Sequence, residues 1–205
     1  EKENCIDTLS DFLDKHPPVV SVSPKLLNED MTIQINDTSH FPPKFTEMLL
    51  NKLRIKRKMP TYNKTEKVSY AIGAGMYRRQ ALLDIGLIDT DYYMFGEDID
   101  IGYRLMKKGW QSYFVPDSKI IHYGSQGTRK NKDERIAMKY KLHALKGILL
   151  FYKKNYGFLD FNLYRSWLLA KSSINVLKHT INKSEIQVTY NKQAINLLLG
   201  RNTSF

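Results

Sequence analysis

The chain has 205 residues, 42% of them hydrophobic, enough for one sizeable core with an appendage. Its formal net charge of +11 favours a nucleic acid, an anionic membrane surface or a phosphorylated substrate as partner, without choosing among them. A single cysteine, Cys5, excludes a disulfide framework and suits a reducing compartment, and no window reaches the ~18 consecutive apolar residues of a membrane-spanning helix.

In chain order, Ile6, Leu9, Phe12 and Leu13 recur at helical spacing, and Pro17 and Pro18 end that helix. Residues 19–22 read as a short buried strand ended by Pro24, and residues 32–35 alternate like an edge strand. Residues 40–67 form a strongly basic insertion, with Phe45, Met48, Leu49 and Leu53 on one helical stripe. Its charge fits a solvated loop or a binding patch equally. Residues 68–77 make the best strand candidate and contain Gly73-Ala74-Gly75.

Residues 79–84 predict a short helix stopped by Gly86, and residues 89–96 an aromatic loop. A helix follows over 98–108, striped by Ile99, Tyr103, Leu105 and Met106 and stopped by Gly109. Residues 112–115 and 119–122 read as two short strands around a Pro116-Asp117 turn. Beyond Gly127 helices are expected over 134–154, 161–181 and 194–199, the first two separated by Asn155-Tyr156-Gly157.

Chemistry concentrates between residues 68 and 127. Glu97, Asp98 and Asp100 sit where a glycine-containing loop enters a helix. Carboxylates there complement the helix dipole and its unpaired N–H groups, and a partly desolvated one can serve as general base. His122 ends a strand, where a structural hydrogen bond or a ligand role are both open. Gly73-Ala74-Gly75 lacks the spacing of a phosphate loop and suggests instead close approach by a ligand or by packed backbone. The stretch from Ser125 through Arg129 and Lys130 is either a flexible linker or a cover over an anionic donor.

Taken together, GAGMYRR, IDTDYYMFGEDIDIGYRLMKKGW and YFVPDSKIIHYGSQ resemble the C-terminal half of family 2 glycosyltransferases, especially a rhamnosyltransferase-like group acting on bacterial surface polysaccharides. HPPVVSVSPKLLNEDMTIQ is similar to the segment just before it, and KLHALKGILLFYKKNYG to the helical region after it, so the likeness runs from about residue 9 to 157. The resemblance implies an α/β fold of the GT-A type, incomplete in this chain and extended by C-terminal helices. The domain division would be an acceptor-side half over residues 1–127 and a basic, amphipathic helical tail over 128–205. The activity implied is inverting sugar transfer, rhamnose among the candidates, from a nucleotide-sugar donor to a polysaccharide or lipid-linked acceptor, with a divalent cation, Mg²⁺ or Mn²⁺.

In that pattern Asp98 matches the general base, with Glu97 beside it, and His122 the histidine of the cation site. Gly73, Ala74, Gly75, Tyr93 and Phe95 would line the acceptor side, and Arg129 and Lys130 would reach the donor diphosphate. The family's nucleotide-binding half, with its Asp-x-Asp motif, precedes the point where this chain begins; Asp98-Ile99-Asp100 has those letters but aligns with the base motif. The expectation is a piece of a longer protein, or one completed by a separate chain, nearly inactive by itself. A non-catalytic binding or assembly partner is the alternative. Nucleic-acid binding has charge in its favour and no recognition motif. The cations from Arg129 to Lys154 accompany an apolar helix, which either attaches peripherally to the inner face of the plasma membrane or packs on the catalytic domain; the expected location is cytoplasmic.

Overall fold

The computed structural model describes residues 4–34, 40–50, 61–123 and 134–201. Its elements are α1 (Cys5–Lys15), β1 (Val19–Leu27), α2 (Phe45–Leu50), β2 (Glu66–Val68), β3 (Met76–Tyr77), α3 (Arg79–Asp84), α4 (Glu97–Lys107), β4 (Gln111–Ile121), α5 (Glu134–Asn155), α6 (Gly157–Ile181) and α7 (Glu185–Leu198). They fall into two units. The first holds Glu1–Pro43, Arg54–Asp91 and Glu97–Gly124, the second Lys44–Leu53, Tyr92–Gly96 and Ser125–Phe205. The division expected at residues 127 and 128 lies outside the described residues.

The first unit is a mixed α/β layer structure on a four-stranded sheet ordered β2-β4-β1-β3. Its central pair, β1 and β4, runs parallel, while β3 pairs antiparallel with β1 and β2 antiparallel with β4. A parallel central pair needs cover on both faces. Leu9 and Leu13 of α1 pack with Val19, Val22 and Val115 on one side, and Ala81, Ile101 and Leu105 with Val20 on the other. A register shift between Val19 and Ser21 breaks the two-residue alternation, so Val19 and Val22 share the α1 face. Where β1 and β4 meet, the buried Ser21 hydroxyl donates to Ser112 Oγ at 2.6 Å, satisfying both polar groups inside the sheet.

Four strand expectations are corrected here. β1 does not stop at Pro24, and residues 111–121 form one strand rather than two around a turn. The register steps from Pro24↔Val115 to Lys25↔Lys119, so Pro116, Asp117 and Ser118 lie in a bulge. Prolines lack the N–H that a ladder requires, and a bulge lets both strands pass that level without breaking. Ser118 is buried there, its hydroxyl donating to Cys5 O at 3.1 Å. The edge strand expected at 32–35 reduces to a single bridge, Leu27↔Ile33, among the described residues. The strand expected over 68–77 divides into β2 and β3 on opposite edges of the sheet. Gly73-Ala74-Gly75 therefore lies in the connection that carries the chain from one edge to the other.

The second unit is helical. α5 buries Leu142, Leu149, Phe151 and Tyr152. The Tyr152 ring stacks on Tyr164 of α6 with centroids 4.1 Å apart, and Tyr164 stacks in turn on Trp167. The buried carboxylate of Asp160 accepts the Thr46 N–H at 2.8 Å and its hydroxyl at 2.9 Å, which anchors the start of α2. Phe45 is buried, whereas Met48 and Leu49 are exposed, so the apolar stripe expected on this helix is not a buried face; Leu53 lies outside the described residues. Helices α6 and α7 both begin earlier than their periodicity predicted, at Gly157 and Glu185, and Tyr156 alone separates α5 from α6. Among the described residues no helix is long and apolar enough to cross a membrane.

Candidate active site at the start of α4

Helix α4 opens on three carboxylates, and tertiary contacts give them different roles. Asp100 is buried and paired with Arg104 Nε one turn later, at 2.7 Å. Arg104 Nη1 donates to Ile85 O at 2.6 Å and Leu87 O at 2.9 Å, tying α4 to the end of α3. This acid is compensated and structural.

Asp98 has no cation partner among the described residues. Its Oδ2 accepts the backbone N–H of Gly73 at 3.1 Å, and Oδ1 has no hydrogen-bond partner among the described residues. Burial raises the Asp98 pKa above the ordinary carboxylate range, the Gly73 hydrogen bond opposes this, and the charge of Glu97 adds to the rise. Glu97 Oε2 is itself buried without a hydrogen bond among the described residues. Two neighbouring carboxylates, one half-buried and held by a single N–H, form an arrangement able to accept a proton.

The connection between β2 and β3 supplies the wall beside them. Tyr70 lies against Gly102 in the middle of α4, where an added Cβ would overlap Tyr70 Cβ and stand 3.0 Å from Ser69 O. Tyr77 donates its hydroxyl to Ala71 O at 3.0 Å and holds the connection closed. Burial, then Asp98, then Glu97 push the Tyr77 pKa far up, so the phenol stays protonated as a donor. A Cβ at Gly75 would sit 2.8 Å from Ala71 Cβ and 3.1 Å from the Tyr77 ring, so this glycine serves packing. Sequence reasoning missed Tyr77 and Gly102. The signal for Gly102 was present, since a glycine inside a helix commonly marks close approach by another backbone; Tyr77 carried no pattern of its own.

The structure thus gathers Gly73, Gly75, Glu97 and Asp98 of the expected site residues, with Ala74 between the two glycines. Tyr93 and Phe95 belong to the second unit. There Tyr93 packs on His143, Phe95 meets the Tyr140 ring edge-on, and the backbone of residues 95 and 96 rests against Gly147. Phe95 and Gly96 both have positive φ, +67° and +95°, the second a conformation that glycine adopts without strain. His122 is exposed, continues the β1–β4 pairing through its N–H to Leu27 O, and places Nδ1 2.6 Å from Gln34 Oε1. Gln34 Oε1 can only accept, so Nδ1 donates in this contact. Arg129 and Lys130 lie outside the described residues. Among the described residues no three His, Cys, Asp or Glu side chains converge as cation ligands, so a Mg²⁺ or Mn²⁺ near His122 would need further oxygen ligands from outside them.

A mixed four-stranded sheet covered by helices, with paired acids at a helix start, is consistent with a fold of the GT-A kind. Residues 49–180, more than half of the chain, match Glycosyl transferase family group 2, and the chain belongs to that family. It is similar to the N-acetylglucosaminyl-diphospho-decaprenol L-rhamnosyltransferases of Mycobacterium tuberculosis strains CDC 1551 / Oshkosh and ATCC 25618 / H37Rv. Each is 35% identical over 66 residues, a match spanning 32% of this chain and 22% of the relative. The family expected from the residues agrees with the family match, and the rhamnosyltransferase likeness with the name these relatives carry.

Proposed function

We infer that this chain carries the acceptor-activating part of an inverting glycosyltransferase, with Asp98 as its general base. The observation that supports the reading is the Asp98 carboxylate, held at the first turn of α4 by the Gly73 N–H, with its pKa raised by burial and by Glu97. Asp98 Oδ1 takes the proton of the acceptor hydroxyl as that oxygen bonds to the anomeric carbon. The bond from that carbon to the nucleotide diphosphate breaks in the same displacement, and the departing group leaves with the electron pair. Burial, with the Glu97 charge adding to it, keeps the base less acidic than an ordinary aspartate, and Tyr77, protonated, fixes the wall on which Gly73 stands.

The donor proposed is a nucleotide sugar bearing L-rhamnose, and the acceptor a diphospho-polyprenol-linked N-acetylglucosamine, as the relatives' name suggests. Arg129 and Lys130 are the cations this reading assigns to the donor diphosphate. His122 Nε2 would supply one ligand to a Mg²⁺ or Mn²⁺ bound with the donor.

Asp98→Asn is the test. In the active protein that carries this chain, it is expected to lower the transfer rate by about 10²–10⁴-fold, read as nucleotide release, with little change in donor KM. The rate should rise with pH along an acid limb displaced above that of an ordinary aspartate. Glu97→Gln removes a neighbouring charge and should move that limb to lower pH. Undiminished transfer by Asp98→Asn would remove the base and favour a non-catalytic binding role.

A further inference from the structure

Helix α6 is apolar on two sides. Ser172 and its neighbours face inward, with Arg165 Nε bonded to Leu198 O of α7. Around the opposite side Leu159, Trp167, Ala170, Ile174, Leu177 and Ile181 follow one another at intervals that an α-helix brings onto one face, within an arc of about 80°. All are exposed: Leu159 62%, Trp167 42%, Ile174 64%, Leu177 68% and Ile181 80% among the large ones, with Ala170 also open to solvent. A helix that is apolar all round is ordinarily buried all round. Among the described residues this one leaves most of its second apolar face exposed, with Leu163 half-buried within it.

The charges beside the stripe say what covers it. Lys171 and Lys178 are exposed along one flank, two turns apart, and Lys171 Nζ lies 5.0 Å over the Trp167 ring. The other flank carries the exposed Ser166, Ser173 and Thr180. Residues 161–184 contain Arg165, Lys171, Lys178 and Lys183 and no Asp or Glu. A second copy of the helix would set these lysines against one another, and the carboxylate on their flank, Asp160, is buried and bonded to Thr46. An apolar stripe bordered by lysines, with tryptophan at the junction, matches instead the boundary between anionic headgroups and acyl chains.

We propose that the Leu159–Ile181 face of α6 is a docking surface for an anionic lipid bilayer, on which the helix lies in the interface plane. The helix is not apolar enough over its length to cross. The surface is independent of the transfer chemistry, so its test and that of Asp98 can fail separately.

The whole chain is mixed with vesicles of phosphatidylcholine alone or with added phosphatidylglycerol, then sedimented. Binding to the anionic vesicles is expected, and much less to the neutral ones. Ile174→Ser and Leu177→Ser should each lower the partition coefficient by about tenfold or more. Lys171→Gln and Lys178→Gln should each lower it by about fivefold on anionic vesicles and little on neutral ones. In the unsubstituted chain, lipid brominated in the acyl region should quench indole emission, and Trp167→Phe should abolish that quenching. Failure to bind anionic vesicles would overturn the proposal, as would binding that the α6 substitutions leave unchanged. So would a dimer, seen by light scattering, that Ile174→Ser and Leu177→Ser dissolve.

Discussion

Helices α4 and α6 both repeat apolar residues at helical spacing, yet the fold uses them in opposite ways. In α4, Ile101 and Leu105 are buried against the sheet, and the first turn carries Glu97, Asp98 and Asp100. In α6 one apolar face is packed and the other is open. The contrast separates two meanings of the same periodicity. An apolar stripe opposite charged residues records where a helix meets its own core, whereas a second stripe records a contact the chain does not make with itself.

Paired truncations break this comparison most directly. Leu105→Ala should cost about 2–5 kcal/mol in a denaturant titration, because a fully enclosed side chain leaves a cavity. Leu177→Ala, the same chemical change on the open face of α6, should stay within about 0.5 kcal/mol. Equal costs would mean that the α6 face is covered by the chain itself.

Gly102→Ala comes next. Its Cβ has no room beside Tyr70, and about 1–3 kcal/mol of destabilisation is expected from overpacking. Because Tyr70 belongs to the same connection as Gly73, this change should also disturb the hold on Asp98 and shift the acid limb of the transfer rate. A stability loss without such a shift would mean that Gly102 serves packing alone.

The smallest effect concerns the acid itself. The Asp98 pKa is higher in the folded chain than in the unfolded one, so the folded state binds more protons between the two values. Stability at this site therefore falls as pH rises through that window and stays lower above it. Asp98→Asn should make the chain slightly more stable at neutral pH and flatten this dependence in melts followed across acid pH. At the same position activity and stability move in opposite directions, which Leu105 and Leu177 do not show.

The sequence made every described helix visible, since helical hydrogen bonds join residues four apart and the apolar period is local. Residues 79–84 were read with their observed bounds, and the α4 start with its acids was recognisable both by charge and by likeness to the family. The residues alone left Asp98 level with Asp100, and likeness to the family singled out Asp98. Tertiary structure gives the two acids different company, because Arg104 pairs with Asp100 and a backbone N–H from 25 positions earlier holds Asp98.

Strand extents were equally out of reach. Whether Pro24 and Pro116 end strands depends on the bulge formed with a partner about ninety residues away, and whether residues 68–77 are one strand or two depends on which edge each half finds. Exposure is likewise a property of neighbours: the Leu159–Ile181 pattern could be read from the chain, but only the packing of α5, α6 and α7 showed that, among the described residues, one of its two apolar faces is exposed. What the sequence determined was local order and chemical kind; what the fold decided was company, because contact and solvent exclusion depend on residues the chain brings together from afar.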